Sequence, residues 1–202
     1  MNLTILAASG RTGAALTRQA LLRGHRVTAI ARDPGRILEP DSPNLRKIAA
    51  DVNDVKSIAA AIDGESVVLS ALGGESAGTL LTGASAVIAA NPSRIIWLGA
   101  YGTGPSADVA GPGAGVLAKA LGERLADKVA ADTAVLAAGG TVFHAGMLAD
   151  GAESPNRRTI GLESGPAFDL EARISRDTVA AAMLDEAEHP QFPGTVALPL
   201  AN

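Results

Sequence analysis

The chain has no cysteine. Disulfides, thiolate catalysis and cysteine-ligated zinc are therefore excluded together. Aromatic residues are nearly as scarce: Trp97, Tyr101, Phe143, Phe168 and Phe192 are the full set. So few rings leave no platform for stacking on single-stranded nucleic acid. Basic charge is not in excess either, and a formal net charge of −4 offers no field for a phosphate backbone. The three histidines, His25, His144 and His189, show no metal-ligand spacing, so no metal site is expected. No apolar stretch approaches the ~20 residues needed to span a bilayer. The first residues lack a basic region followed by a cleavable apolar stretch. The expectation is a cytoplasmic protein with neither nucleic-acid nor membrane partners.

What is present is globular. Apolar residues make up 47% of 202, mostly Ala, Leu, Val and Ile. That predicts one domain over 1–202, with a small substrate-side region from about 147 to 202. An apolar run, Leu3–Ala8, breaks at Ser9-Gly10, and an amphipathic helix follows over Arg11–Arg23 until Gly24. Further strands are predicted at Arg26–Ala31, Leu45–Ala50, Ser66–Ala71, Arg94–Leu98 and Thr141–Ala145. Helices are predicted at Asp54–Ile62, Ser76–Ala90 and Val116–Ala138, the last broken at Gly122. Asn53 or Asp54 is the expected N-cap of the second helix. Short strands are expected at Arg157–Leu162 and Glu171–Ile174. A last helix, Arg176–Glu188, is capped by Ser175, and a final strand covers Thr195–Leu200. Tyr101–Gly115 holds five glycines and two prolines and reads as a long loop or lid.

Strand and helix alternate throughout. The pattern demands right-handed crossovers and a buried parallel sheet. A glycine turn at its start selects the doubly wound α/β/α form, strand order 3-2-1-4-5-6, over the flavodoxin-like one. In that form Gly10 allows the sharp turn and the close approach of a pyrophosphate, and Gly13 lets the first helix pack on its strand. Ser9, Arg11 and Thr12 add hydroxyl, guanidinium and backbone donors at a helix N-terminus.

The second strand ends Ala31-Arg32-Asp33, with Arg36 nearby. A guanidinium there pairs with a 2′-phosphate, which predicts NADP, with NAD the less favoured cofactor. Asp33 could instead supply the ribose contact of an NAD site. Asp51 can accept from an adenine amino group while Val52 covers the ring; helix capping is the equal alternative for Asp51. In Ala71-Leu72-Gly73-Gly74, at the end of the fourth strand, small residues let the backbone approach ribose and nicotinamide, which makes Ala71, Leu72 and Gly73 cofactor candidates; a simple turn is the alternative.

The usual short-chain dehydrogenase relay, a Tyr with a Lys four residues on, is missing: Pro105 lies four after Tyr101, the single tyrosine. Tyr101 and His144, each near a strand end, are the weak catalytic candidates. Lining the pocket is the better reading for Tyr101, and a structural role is at least as good a reading for His144.

Together these motifs resemble the atypical short-chain dehydrogenase/reductases, the NmrA-like group with a lone NAD(P)H-binding domain. Its small members include NADH-flavin reductases and biliverdin-IXβ/flavin reductase. Ala7-Ala-Ser-Gly-Arg-Thr-Gly13 matches the family's Gly-Ala-Thr-Gly-x-Thr-Gly, with Ala7 replacing the first glycine. Ala31-Arg32-Asp33-Pro34 matches Val-Arg-Asp-Pro, Asp51-Val52 matches Asp-Val, and Ser70-Ala71-Leu72-Gly73 matches the end of the fourth strand. Asp127-Lys128 resembles the family's Asp-Lys, which implies that Lys128 approaches the nicotinamide ribose. His144-Ala145-Gly146-Met147-Leu148 stands where the family has Arg-Pro-Gly-x-Leu, and this places Met147 at the cofactor. Ile174-Ser175-Arg176-Asp177-Thr178-Val179-Ala180 resembles Ile-Ser-Arg-x-Asp-Val-Ala.

One departure matters. Where the family often has Ser-Ser or Ser-Ala after the fifth strand, this chain has Gly99-Ala100. With that Ser and the Tyr relay both missing, flavin- or quinone-like acceptors fit better than alcohols, because solvent can protonate their products. The resemblance implies an NADPH-dependent reductase of a small-molecule acceptor, a monomer or homodimer. A non-catalytic NADP(H) sensor and an epimerase-like isomerase are the alternatives.

Overall fold

The structure, a computed structural model, describes residues 1–74 and 76–201. The strands are β1 (Asn2–Leu6), β2 (Arg26–Ala31), β3 (Leu45–Ala49), β4 (Val67–Ser70), β5 (Arg94–Ala100), β6 (Thr141–Ala145), β7 (Met147–Ala149), β8 (Arg158–Gly161), β9 (Arg173–Ser175) and β10 (Val196–Leu200). The helices are α1 (Arg11–Leu22), α2 (Val55–Ala61), α3 (Thr79–Ala89), α4 (Ala107–Ala110), α5 (Pro112–Leu121), α6 (Arg124–Ala137) and α7 (Arg176–Glu188). The main sheet runs β3-β2-β1-β4-β5-β6-β10-β8. Its first six strands have the predicted order 3-2-1-4-5-6 and are parallel. β10 continues parallel to β6, and β8 closes the edge antiparallel. This is a Rossmann-like α/β fold.

Both faces of the sheet are covered, so its central strands are apolar on both sides. On one face α1 and α7 pack over Leu3, Ile5, Leu69 and Phe143. On the other, α2, α3 and α6 enclose Leu6, Ile30, Val68 and Trp97. α7 is buried almost all round, because it packs beside α1 on the sheet and also against β9. Polar ties fix it there: Arg18 pairs with Asp177 at 2.7 Å and Arg23 with Asp185 at 2.9 Å.

Punctuation residues act as their chemistry requires. Gly24 stops α1 at φ +79° and Gly122 separates α5 from α6 at φ +55°, conformations open to a residue without Cβ. Asp54 is the cap of α2, accepting from the backbone N–H groups of Lys56 and Ser57. Ser175 caps α7 through the N–H of Thr178.

Three expectations need correcting. β1 ends at Leu6, not Ala8, because Ala7 already takes a left-handed φ of +61° to start the turn. The strand β7, paired with β9 in a separate two-stranded sheet, was not expected. Residues 101–115 are not a free loop. They form a 3-10 turn (Gly104–Ser106), α4 and the start of α5, with Tyr101, Thr103, Ser106 and Ala110 buried. Tertiary anchoring overrides the glycine and proline content. Tyr101 Oη donates to the Pro166 carbonyl. Phe168 N–H donates to the Ala110 carbonyl at 3.0 Å, and the Tyr101 and Phe168 rings meet edge-on at 5.5 Å. Among the described residues no helix is long and apolar enough to cross a membrane.

Candidate functional site

The carboxyl ends of the parallel strands open into a cleft of about 1140 Å³. This is the crevice where an open α/β sheet binds its ligand, beside the point at which the strand order reverses. Its volume exceeds the ~300–1,000 Å³ typical of a pocket for one drug-sized ligand.

Its floor begins at the β1–α1 turn, where Ser9, Gly10, Arg11 and Thr12 line the cleft. Gly10 is the N-cap of α1 and supplies no side-chain hydrogen bond to the helix. The N–H groups of the first turn are thus left for a ligand, and the helix dipole favours an anion there. Gly13 lies below the surface. A Cβ on it would stand 2.1 Å from the Ala7 carbonyl oxygen and 2.8 Å from Ala8 Cα. The absent side chain lets α1 sit directly on the turn, so the helix N-terminus is aimed into the cleft. These features fit a pyrophosphate.

Arg32 and Arg36 line the cleft beyond β2. Asp33 does not line it; its carboxylate accepts from the N–H of Gly35 at 3.0 Å as cap of a 3-10 turn. Asp51 and Val52 line the cleft beyond β3. Asp51 does not cap α2; Asp54 does. The Asp51 carboxylate instead accepts from the backbone N–H and the side-chain amide of Asn53, both at 2.9 Å, and remains at the cleft wall. Ala71, Leu72 and Gly73 follow β4 along the same wall.

Lys128, on α6, also reaches the cleft. Burial pulls its pKa below the ordinary lysine value, while Asp132 and Asp127 push it back up. Asp127 itself is used elsewhere. Its carboxylate accepts from the N–H groups of Leu80 and Leu81, both at 3.0 Å, and so ties α6 to the start of α3.

The remaining wall is formed by Leu98, Gly99, Ala100, Ala145, Gly146 and Leu148. Gly146 and Leu148 line it, whereas Met147 between them does not, as strand alternation requires. Arg176, the first residue of α7, lines it too. Sequence reasoning gave Arg176 no role, although it lies in one of the matched motifs; its relevance appears when β7 and α1 come alongside.

Tyr101 and His144 lie behind this wall and do not line it. Burial raises the pKa of Tyr101, and its hydroxyl is held by the Pro166 carbonyl. His144 is 1% exposed, with Nδ1 2.7 Å from Ser106 Oγ and Nε2 3.2 Å from Asp132 Oδ2. Ser106 and Asp132 are fully buried. The order Ser–His–Asp is that of a hydrolase triad, but the Ser106 hydroxyl already donates to the Thr103 carbonyl and accepts from Gly102 N–H. No substrate atom can reach it, and the array instead pins the 3-10 turn to β6 and α6. Gly99 explains how the ring fits: a Cβ there would lie 2.6 Å from His144 Cδ2. The missing serine of β5 and the buried histidine of β6 are therefore one packing solution.

A family model described as NAD(P)H-binding matches residues 7–190. No curated protein matches the chain. Solved structures do. An anaerobillin reductase from Escherichia coli O157:H7 is 21% identical with a TM-score of 0.82, over 99% of this chain and 97% of that one. A short-chain dehydrogenase/reductase from Veillonella parvula, in complex with NADP, is 19% identical with a TM-score of 0.80, over 98% and 93%. A Rossmann-fold NAD(P)-binding family protein from Shigella flexneri is 24% identical with a TM-score of 0.76, over 99% and 93%. At these identities the likeness carries the fold alone.

Proposed function

The chain belongs to the NAD(P)H-binding family, and on that premise we propose that it is an NADPH-dependent reductase of a planar, flavin- or quinone-like small molecule. The observation that carries the cofactor is the uncapped α1 N-terminus opening into the cleft, with Arg32 and Arg36 along the same wall. Arg32 would hold the 2′-phosphate, and Asp33, turned into its own 3-10 turn, leaves the site without the acidic ribose partner of an NAD enzyme. Asp51 and Val52 would take the adenine, and Lys128 the nicotinamide ribose. NADPH, when bound, supplies the hydride.

The chain's own residues then do three things. The first turn of α1 fixes the cofactor's anionic centre. Leu98, Gly99, Ala100, Gly146 and Leu148 give an acceptor a mostly apolar surface that limits water around the transfer. The Tyr101 hydroxyl is engaged by the Pro166 carbonyl behind the wall and is not there to protonate a product, which favours an acceptor that solvent can protonate. The same engagement of Tyr101 and His144 also supports the second reading, an NADP(H) sensor without turnover. The working compartment in this proposal is the cytoplasm.

The test is NADPH and NADH titration by fluorescence, followed by NADPH oxidation with flavin mononucleotide and simple quinones. Arg32→Ala should weaken NADPH roughly tenfold to a hundredfold and leave NADH alone, the loss expected of a charge-assisted bond. Equal affinity of the native protein for both cofactors would remove the NADP assignment. Tight NADPH binding without oxidation by any acceptor would favour the sensor.

A further inference from the structure

Two guanidinium groups meet one exposed carboxylate at the lip of the cleft. Arg176 Nη1 lies 2.6 Å from Asp150 Oδ1, and Arg11 Nη1 lies 3.6 Å from Asp150 Oδ2. Arg11 opens α1 and Arg176 opens α7, so the first residues of two helices face the same point from either side. Asp150 follows directly on β7. The exposures differ sharply: the Arg176 side chain is 13% exposed, while those of Asp150 and Arg11 are 71% and 72%. The Arg176 side chain is thus largely enclosed, and the carboxylate is the solvent-exposed partner. Asp177, next along α7, is already paired with Arg18 and does not compete.

We propose that Arg176, assisted by Arg11, forms a subsite for an anionic group of the acceptor, a phosphate or carboxylate, and that the Asp150 carboxylate occupies it until the acceptor arrives. The naming of the acceptor rests on the reductase reading above; the anion subsite rests on the arginine geometry. The Asp150 carboxylate stands in solvent and gains little from the pair, so it is readily displaced. A planar guanidinium fork suits the two or three oxygens of the incoming group better than a single carboxylate held end-on. The cofactor's anions already have partners: the α1 first turn for the pyrophosphate, and Arg32 with Arg36 for a 2′-phosphate. Arg176 is left over. It stands beside Gly146 and Leu148, on the wall assigned to the acceptor.

Flavin mononucleotide and riboflavin share one ring system and differ by a phosphate, so they isolate this contact. Their binding to NADP+-saturated protein is followed by flavin fluorescence, which requires no turnover. The native protein should bind flavin mononucleotide at least about tenfold more tightly than riboflavin. Arg176→Ala should bring flavin mononucleotide down to the riboflavin level and leave NADP+ affinity unchanged. Asp150→Ala should move flavin mononucleotide the other way, toward tighter binding. Equal affinity of the native protein for the two flavins overturns the proposal. So does an Arg176→Ala variant that loses NADP+ as much as flavin, which would put the guanidinium on the cofactor. If neither flavin binds, the thermal shift of NADP+-saturated protein with inorganic phosphate decides. A shift in the native protein that Arg176→Ala abolishes keeps the anion subsite and removes the flavin acceptor; a shift shared by both overturns the subsite.

Discussion

Along the carboxyl ends of β1, β2 and β3 the cleft presents helix N–H groups, the guanidinium groups of Arg11, Arg32 and Arg36, and the Asp51 carboxylate. Along β5, β6 and β7 it presents Leu98, Gly99, Ala100, Gly146 and Leu148, with Arg176 as the charged group on this wall and Asp150 at the lip. The first half offers donors at fixed places in the chain. The second offers mainly shape, with Tyr101 and His144 withdrawn into the core. Tyr101 and His144 are the cost of that arrangement, bound in hydrogen bonds that hold the segment from 101 to 110 against the sheet. A family that keeps one dinucleotide site and varies its acceptor is expected to divide its cleft in this way.

The largest test of the contrast is on the first half. Gly13→Ala adds one Cβ where the Ala7 carbonyl oxygen stands 2.1 Å away, and the neighbours in contact are backbone. The helix must retreat from the turn. About 3 kcal/mol of stability should be lost in urea denaturation, the upper end of the usual cost of overpacking. NADPH affinity should fall with it, because the helix N-terminus moves. A variant of native stability that binds NADPH normally would break the argument that close packing aims the helix.

A smaller loss is expected in the second half, and of a different kind. His144→Ala removes the partner of Asp132 Oδ2, whose other oxygen, Oδ1, already has no hydrogen-bond partner, and frees Ser106 from β6. Stripping a buried acceptor of its partner should cost about 2 kcal/mol. NADPH affinity should hold. If instead stability holds and turnover collapses, His144 is part of the chemistry and the two halves are less distinct than they look.

The same contrast governs what could be read from the residues alone. β2 and β6 fall where their β-branched runs put them, and Gly24, Gly122, Asp54 and Ser175 mark boundaries by local chemistry that needs no partner. The β1–α1 turn is contiguous, so Ser9 to Gly13 could be read from spacing as a candidate anion cradle, and Ser9 to Thr12 do line the cleft. The acceptor half depends on contacts far apart in sequence. Gly99 makes sense only once His144 is beside it, and Arg176 only once Asp150 and Arg11 converge on it. The segment 101–115 misleads because its glycines and prolines signal a loop, while Phe168, from beyond β8, supplies the packing that makes it helical. Ala7 misleads for a related reason: no local rule places an alanine at φ +61°, and the turn geometry imposes it.

Lys128 lies on the seam between the halves, and its response to pH is the finest test of their separation. Burial is the leading influence and lowers its pKa; Asp132 and Asp127 act against it. Between that lowered value and the ordinary 10.5, the unfolded chain holds a proton that the folded chain has released. Stability therefore rises with pH across this window and levels off above it; as pH falls through the folded pKa, the gain is lost. Cofactor affinity should run the opposite way, because an anionic dinucleotide favours the ammonium form and loses it as pH climbs. Opposed slopes from one residue are hard to produce by general alkaline unfolding. Lys128→Met should flatten both relative to the native protein, read as urea midpoints and NADPH dissociation constants between neutral pH and 10. If stability flattens and the affinity profile does not change, Lys128 belongs to the core of the second half and makes no contact with the cofactor.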